Sequence, residues 1–175
     1  VSGKLEIVGN QFNGRTGVST DGLNLSAAAN SDVDLLLTNN TSTNNSGTGF
    51  TVIAKAGSTI EADDPDGAHC VTGILDNTAT GNGTGFLIEA QTGSTIKAVV
   101  ERNTASANSV NGMHMRSDGG LFNLASLRTN TITGFSEPSA LFNAVTNENG
   151  VLLHYLNGGN FLSQSEDINE DTNFN

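Results

Sequence analysis

Three side chains that could recognise a charged ligand stand two residues apart along one short segment. They are His114, Arg116 and Asp118, and on a β-strand this spacing places all three on the same face. Such a row could engage a sugar acid, with Arg116 as a clamp for the carboxylate or as a base. The repeat of the chain places one further carboxylate, Glu89, on the facing outward positions. We therefore take these four as candidate binding residues, with ordinary surface residues as the simpler interpretation.

A second group of candidate ligands is acidic. Asp63, Asp64 and Asp66 lie in a stretch, 61–69, that interrupts the repeat with about ten extra residues. Insertions in repeat proteins loop out of one face, often the binding face, and Ca²⁺ prefers several hard oxygen ligands. The spacing does not match the EF-hand loop. We predict an acidic loop insertion that is either solvated or holds Ca²⁺, and no other cofactor.

The elements that would position these residues belong to a repeat. In each copy an Asn followed by small hydroxylated residues leads through a turn to a Gly and an alternating apolar strand. The successive Asn residues are 30, 37, 26, 27 and 30 positions apart, and such a period is typical of a solenoid. Clear copies begin at Asn40, Asn77, Asn103 and Asn130, with weaker copies at Asn10 and Asn160.

Apolar or small residues occupy every second position before each Asn, which predicts strands with one buried face. One coil cannot bury its own apolar face, so neighbouring coils must stack, at roughly 4.8 Å. The four clear Asn residues would then form a side-chain ladder at one corner. We expect a single all-β solenoid domain over 1–175, of about five to six coils with roughly 27 residues each.

This pattern resembles right-handed parallel β-helix repeats of the pectate-lyase-like superfamily. It is most similar to Asn/Thr/Gly-rich repeat regions of large bacterial secreted or cell-surface proteins. The phrases that carry the resemblance are Asp76–Phe86 and Arg102–Ser106, and the similarity covers roughly residues 4 to 165. The resemblance implies a right-handed coil. It also implies that lyase chemistry would pair an Arg with a Ca²⁺ cluster, whereas the Asp pairs and the Gly-His-Gly phrase of polygalacturonases are missing.

Composition restricts the partners. The 175 residues include 7 Lys and Arg against 18 Asp and Glu, a net charge of −11, which argues against nucleic acid because phosphate binding depends on cations. No apolar run approaches the length of about 20 residues that a membrane span needs, so no membrane insertion is expected. A start at Val1 suggests a segment of a longer chain, and 166–175 is predicted to be an acidic tail.

The sequence favours a structural or adhesive repeat module of an extracellular or cell-surface assembly, acting as a stiff spacer or a self-associating subunit. The expected partners are identical chains or other surface proteins. The alternative is a polysaccharide-binding or polysaccharide-degrading β-helix, so an enzyme, a lyase or hydrolase, is the minor interpretation. Ice binding is a lesser alternative, based on the aligned residues Thr41, Thr78, Thr104 and Thr131.

Overall fold

The computed structural model describes residues 2–14, 18, 20–63 and 72–133, together with the backbone of four later strands. All regular structure in these parts of the chain is β-strand. The strands are, in chain order, β1 (Ser2–Val8), β2 (Gln11–Asn13), β3 (Leu23–Ala27), β4 (Asp32–Thr38), β5 (Thr41–Thr43), β6 (Thr48–Ala54), β7 (Thr59–Ala62), β8 (Gly73–Leu75), β9 (Thr78–Thr80), β10 (Thr84–Gln91), β11 (Thr95–Glu101), β12 (Thr104–Ser106), β13 (Met113–Asp118), β14 (Leu121–Arg128), β15 (Thr131–Thr133), β16 (Ala144–Thr146), β17 (Val151–Leu156), β18 (Asn160–Ser163) and β19 (Asn173–Phe174).

Three sheets enclose the core. Sheet A has the strand order β1-β4-β7-β11-β14-β18, with β8 beside β4 and β11. Sheet B is β2-β5-β9-β12-β15-β19, and sheet C is β3-β6-β10-β13-β17-β16. Among the described strands every pairing is parallel except that of β16 with β17. The architecture is therefore a parallel β-solenoid, which confirms the predicted fold class.

Each coil contributes one strand position to every sheet. Four coils have strands with described side chains in all three sheets, namely β1–β3, β4–β6, β7–β10 and β11–β13, and β14 and β15 begin the next. The structure thus has about four coils where the sequence predicted five to six. The estimate was too high because the segment after Thr133 does not keep the 27-residue spacing.

The interruption of the repeat falls inside a single strand position of sheet A. Ala62 of β7 pairs with Ala98 of β11, and Ile74 of β8 pairs with Val100 of the same strand. The two paired positions are twelve residues apart in the coil of β7 and β8 but two residues apart in β11, so ten residues are inserted between β7 and β8. Glu61 and Ala62 belong to β7 itself, and residues 64–71 lie outside the described part of the chain.

The core consists of apolar columns in which like residues stack from coil to coil. The rings of Phe50 and Phe86 stack with centroids 5.1 Å apart, and Phe12 meets Phe50 edge to face at 6.0 Å. Parallel register brings these residues into line because the strand period of two holds one face inward in every coil. One sheet A column contains Leu35, Ala62, Ala98 and Leu124, all buried.

The register corrects one sequence prediction. Asn160 pairs with Leu121 at the start of β18 in sheet A, whereas each clear ladder Asn comes directly before a strand of sheet B. Asn160 is therefore not a further ladder residue. Its spacing of 30 from Asn130 is coincidental, because β16 and β17 lie between them and lengthen that part of the chain.

Candidate functional site

The four candidate binding residues lie together on the outer face of sheet C. Glu89 of β10 pairs with Arg116 of β13, and His114 and Asp118 lie two residues to either side of Arg116. Arg116 Nη2 donates to Asp118 Oδ2 at 2.6 Å, and Arg116 Nε lies 3.6 Å from Glu89 Oε1. Gln91 Nε2 donates to the same Glu89 oxygen at 3.1 Å. The cluster is thus one guanidinium between two carboxylates from adjacent coils.

This arrangement limits what Arg116 can do. A guanidinium stays protonated in proteins, and here its charge is balanced by two carboxylates, one of which, Glu89, has only 5% of its side chain exposed. A sugar acid would meet two carboxylates here and would compete with Asp118 for Nη2, whereas Nε, 3.6 Å from Glu89, makes no hydrogen bond among the described residues. Arg116 forms ion pairs with Asp118 on its own strand and with Glu89 on the adjacent coil, so its charge is already balanced within the protein.

The neighbouring part of the same face is closed to solvent. Register places Thr51 beside Leu87 and Ile53 beside Glu89, on the outward side of β6, yet Thr51 is 2% and Ile53 9% exposed. Among the residues that the structure describes, Thr51 Oγ1 has no hydrogen-bond partner. A buried hydroxyl without a partner costs free energy, so this position stabilises the fold less than an apolar side chain of the same shape would.

The predicted metal ligands are only partly described. Asp63 follows β7, whereas Asp64 and Asp66 lie outside the described residues. Within the described ranges no group of three or more His, Cys, Asp or Glu side chains is placed to hold a metal ion. Calcium binding by the acidic insertion stays a prediction.

Asp63 contributes to the electrostatics around Lys97. Lys97 Nζ donates to Glu61 Oε1 at 2.6 Å. This hydrogen bond is the main cause that raises the pKa of Lys97, with the charges of Glu61, Asp63 and Asp32 adding to it and partial burial opposing it. Lys97 therefore faces acidic side chains of sheet A from two neighbouring coils.

A buried asparagine ladder runs along the corner between sheets A and B. Asn77 shows its geometry: the backbone N and Nδ2 of Asn40 donate to Asn77 Oδ1, both at 3.0 Å. Asn77 in turn donates through the same two atoms to Asn103 Oδ1 at 3.0 Å, and its Nδ2 reaches the Leu37 carbonyl at 2.8 Å. Asn103 repeats the pattern with Asn130. Each inner side chain thus ties three successive coils together.

A left-handed backbone residue precedes each ladder asparagine. The φ angles are positive at Asn39, Asp76, Arg102 and Thr129, between 53° and 56°, and at Gly9. Non-glycine residues rarely adopt this conformation. The corner holds the conformation because the Asn that follows satisfies backbone groups of its own and of the adjacent coil.

The sequence reasoning missed a second buried ladder. Asn45 N and Nδ2 donate to Asn82 Oδ1 at 3.0 and 2.9 Å, and Asn82 N donates to Asn108 Oδ1 at 3.0 Å. The side-chain amides of Asn82 and Asn108 also donate to carbonyls of the preceding coil. The signal was present: each of these residues stands five positions after a member of the first ladder.

The sequence reasoning also missed a network of ion pairs between coils. Glu101, almost fully buried, accepts bonds from Arg128 Nε at 2.8 Å, Ser126 Oγ at 2.7 Å and Arg102 Nη1 at 3.1 Å. Arg102 also holds both carboxylate oxygens of Asp76, at 2.9 and 3.0 Å. These hydrogen bonds to Asp76 are the main cause that raises the pKa of Arg102.

The charge pattern that produces these pairs is periodic. In four of the ion pairs between side chains, the acid belongs to one coil and the base belongs to the coil that follows it along the chain. The separations are 26, 27 and 27 residues, and 36 where the insertion intervenes. The pairs are Asp76–Arg102, Glu89–Arg116, Glu101–Arg128 and Glu61–Lys97.

No protein-family model, curated protein or solved structure matches this chain. In the described residues there is no helix with the length and apolar character needed to cross a membrane.

Proposed function

We propose that this protein is a structural or adhesive β-solenoid module of an extracellular or cell-surface assembly, acting as a stiff spacer or a self-associating subunit. The observation that carries the proposal is the asparagine ladder, in which Asn77 bonds to the coils on both sides of its own. Because the bonds pass from coil to coil, bending or opening one layer must break contacts in its neighbours.

The use of charge supports the same role. Four of the seven basic residues join an acid on the preceding coil. The cations therefore couple coils, and the remaining surface is strongly acidic. A net charge of −11 keeps such a rod soluble and repels nucleic acid. A single cysteine removes any dependence on an internal disulfide framework.

The proposal also extends to the type of β-solenoid and its handedness. We place the chain among right-handed β-helices of the pectate-lyase-like type, close to the Asn/Thr/Gly-rich repeats of bacterial surface proteins. The corner asparagines and the 27-residue spacing support it. Lyase or hydrolase activity is disfavoured because Arg116, the candidate clamp, is already held by Asp118 and Glu89.

Native-state proteolysis combined with polysaccharide assays tests the proposal. The purified chain is exposed to subtilisin in increasing urea, so that the free energy governing cleavage within the coils is compared with that of global unfolding. A locked module gives equal values. Cleavage within the coils at a much lower free energy would contradict the spacer role.

The parallel arm measures binding and cleavage of polygalacturonate, with and without calcium, for the wild type and for Arg116→Ala. We expect neither binding nor release of unsaturated products from either protein. Wild-type binding that is lost in Arg116→Ala would overturn the structural assignment and favour the polysaccharide alternative.

A further inference from the structure

We propose that the outer face of sheet B binds the surface of an ice crystal through a two-row array of hydroxylated side chains. This activity goes beyond the spacer role and does not depend on self-association. The array lies along the side of the solenoid, on strands β5, β9, β12 and β15, whose side chains the structure describes.

Two rows of hydroxyl groups point outward from these strands, while the residue between them on each strand points into the core. Parallel register aligns each row from coil to coil, and none of the side chains is buried. Strand geometry sets the coils about 4.8 Å apart and the two rows about 6.6 Å apart. The rows are Thr41, Thr78, Thr104 and Thr131, and Thr43, Thr80, Ser106 and Thr133.

These two spacings are close to distances at which oxygen atoms repeat on the faces of an ice crystal. Water molecules bonded to the hydroxyl groups would therefore lie near lattice positions in both directions at once. A bond to an ordered water is nearly as favourable as a direct hydrogen bond. The array can thus join a crystal surface through many weak contacts that act together.

Both edges of sheet B are held in place by the buried asparagine ladders. Asn77 of the first ladder comes directly before β9, and Asn82 of the second ladder follows β9 by two residues. Each residue donates to the next coil, so the short strand between them is fixed at both ends. In the second row Thr80 Oγ1 also lies 2.9 Å from Ser106 Oγ. Binding therefore requires little further ordering of the protein.

Charge is absent from this face in the described coils, although the chain has 7 Lys and Arg and 18 Asp and Glu. The outward positions of the other sheets do carry charge. Examples are Asp34, Glu61 and Lys97 in one column of sheet A, and Glu89 beside Arg116 in sheet C. Strand propensity favours Thr equally in all three sheets, so it does not explain why unbroken rows occur in sheet B. A charge orients water around itself and disturbs a lattice, which an ice-binding face must avoid.

Partition into slowly growing ice tests the proposal with the full chain. An advancing ice front excludes ordinary solutes and incorporates molecules that bind the crystal. Thr78→Tyr and Thr104→Tyr each place a ring in the middle of the array, and Asn24→Tyr places the same ring on the exposed outer face of sheet C. We expect the ice to take up wild type and Asn24→Tyr, and to exclude both Thr variants. Circular dichroism melts confirm folding, which outward rings on strands should allow.

A gain-of-function variant tests the same face without damaging it. Gln11 and Asn13 occupy the two rows on β2, beside Thr41 and Thr43. The double change Gln11→Thr with Asn13→Thr extends the array by one coil, so uptake into ice should rise above that of wild type. The gap between the melting and growth temperatures of a single crystal should widen with it.

Three results would overturn the proposal. They are exclusion of wild type from the ice, uptake of folded Thr78→Tyr or Thr104→Tyr at the wild-type level, and equal loss of uptake in Asn24→Tyr. None of them bears on the spacer role, which the subtilisin experiment tests separately. A chain that is excluded from ice while its coils resist subtilisin until global unfolding is a spacer without this activity.

Discussion

Truncating one inner ladder residue, Asn77→Ala, should destabilise the protein far more than the same change at the exposed end of the ladder. Asn77 is fully buried, and its side chain makes four bonds, two accepted from Asn40 and one donated to each of Leu37 and Asn103. Alanine removes all four.

The magnitude follows from the groups left behind. The backbone N–H of Asn40 and the Leu37 carbonyl lose this partner inside the stack. Each buried polar group left unsatisfied costs about 1–3 kcal/mol, so we expect a loss of roughly 4 kcal/mol. In a chain of 175 residues, 1 kcal/mol corresponds to about 2–4 °C in Tm, so the transition should fall by on the order of 10 °C.

Urea unfolding followed by circular dichroism measures the effect, with Asn10→Ala as the matched control. Asn10 is exposed, and no donor in the described hydrogen bonds reaches its Oδ1, so its loss should cost less than about 1 kcal/mol. Equal costs for the two variants, or a cost below about 1 kcal/mol for Asn77→Ala, would refute the claim that the ladder locks the coils.

Three further changes test other contacts. Gly49→Ala places a Cβ 2.7 Å from the Gly85 carbonyl oxygen of the next coil and should cost about 1–3 kcal/mol through overpacking, as measured by urea unfolding; a neutral result would show that the coils separate easily. Thr51→Val removes a buried hydroxyl that has no partner among the described residues and should raise Tm by a few degrees, corresponding to about 1 kcal/mol; a lower Tm would contradict this. Lys97→Met should cost at most about 1 kcal/mol near neutral pH, because the pair with Glu61 is partly exposed. Since the folded pKa of Lys97 is raised above its ordinary value, that stabilisation is fully present below the unfolded pKa of about 10.4 and is lost as the pH rises through the higher folded pKa, so the two proteins should converge in stability only above about pH 10.4; a difference that stays constant through that alkaline range would assign it to another interaction.

The repeat made the fold predictable from the sequence. Alternation of apolar residues determines which side of a strand faces inward, and a constant spacing puts equivalent strands in register, as in the stacked pair Phe50 and Phe86. The coil count was overestimated because the prediction extended the spacing past Thr133. Asn160 matched that spacing but lies in sheet A, since the chain inserts β16 and β17 first.

The candidate site was predictable in position and not in chemistry. Strand alternation placed Arg116 and Glu89 on one face, which the register supports. Whether a guanidinium is free or engaged depends on side-chain geometry across coils, which spacing alone does not give. The ion pairs were nevertheless encoded as an acid and a base one period apart, as in Asp76 and Arg102. The second ladder was encoded as an Asn five residues after the first.

Native-state hydrogen exchange of three backbone amides tests the central claim most directly. The N–H groups of Asn40, Asn77 and Asn103 donate to side-chain oxygens of the next coil, at 3.0, 3.0 and 2.9 Å, so their protection reports the ladder itself. If the ladder locks the coils into one unit, all three exchange only with global unfolding and share its free energy. Exchange at the rate of an exposed loop, while neighbouring strand amides stay protected, would contradict the account.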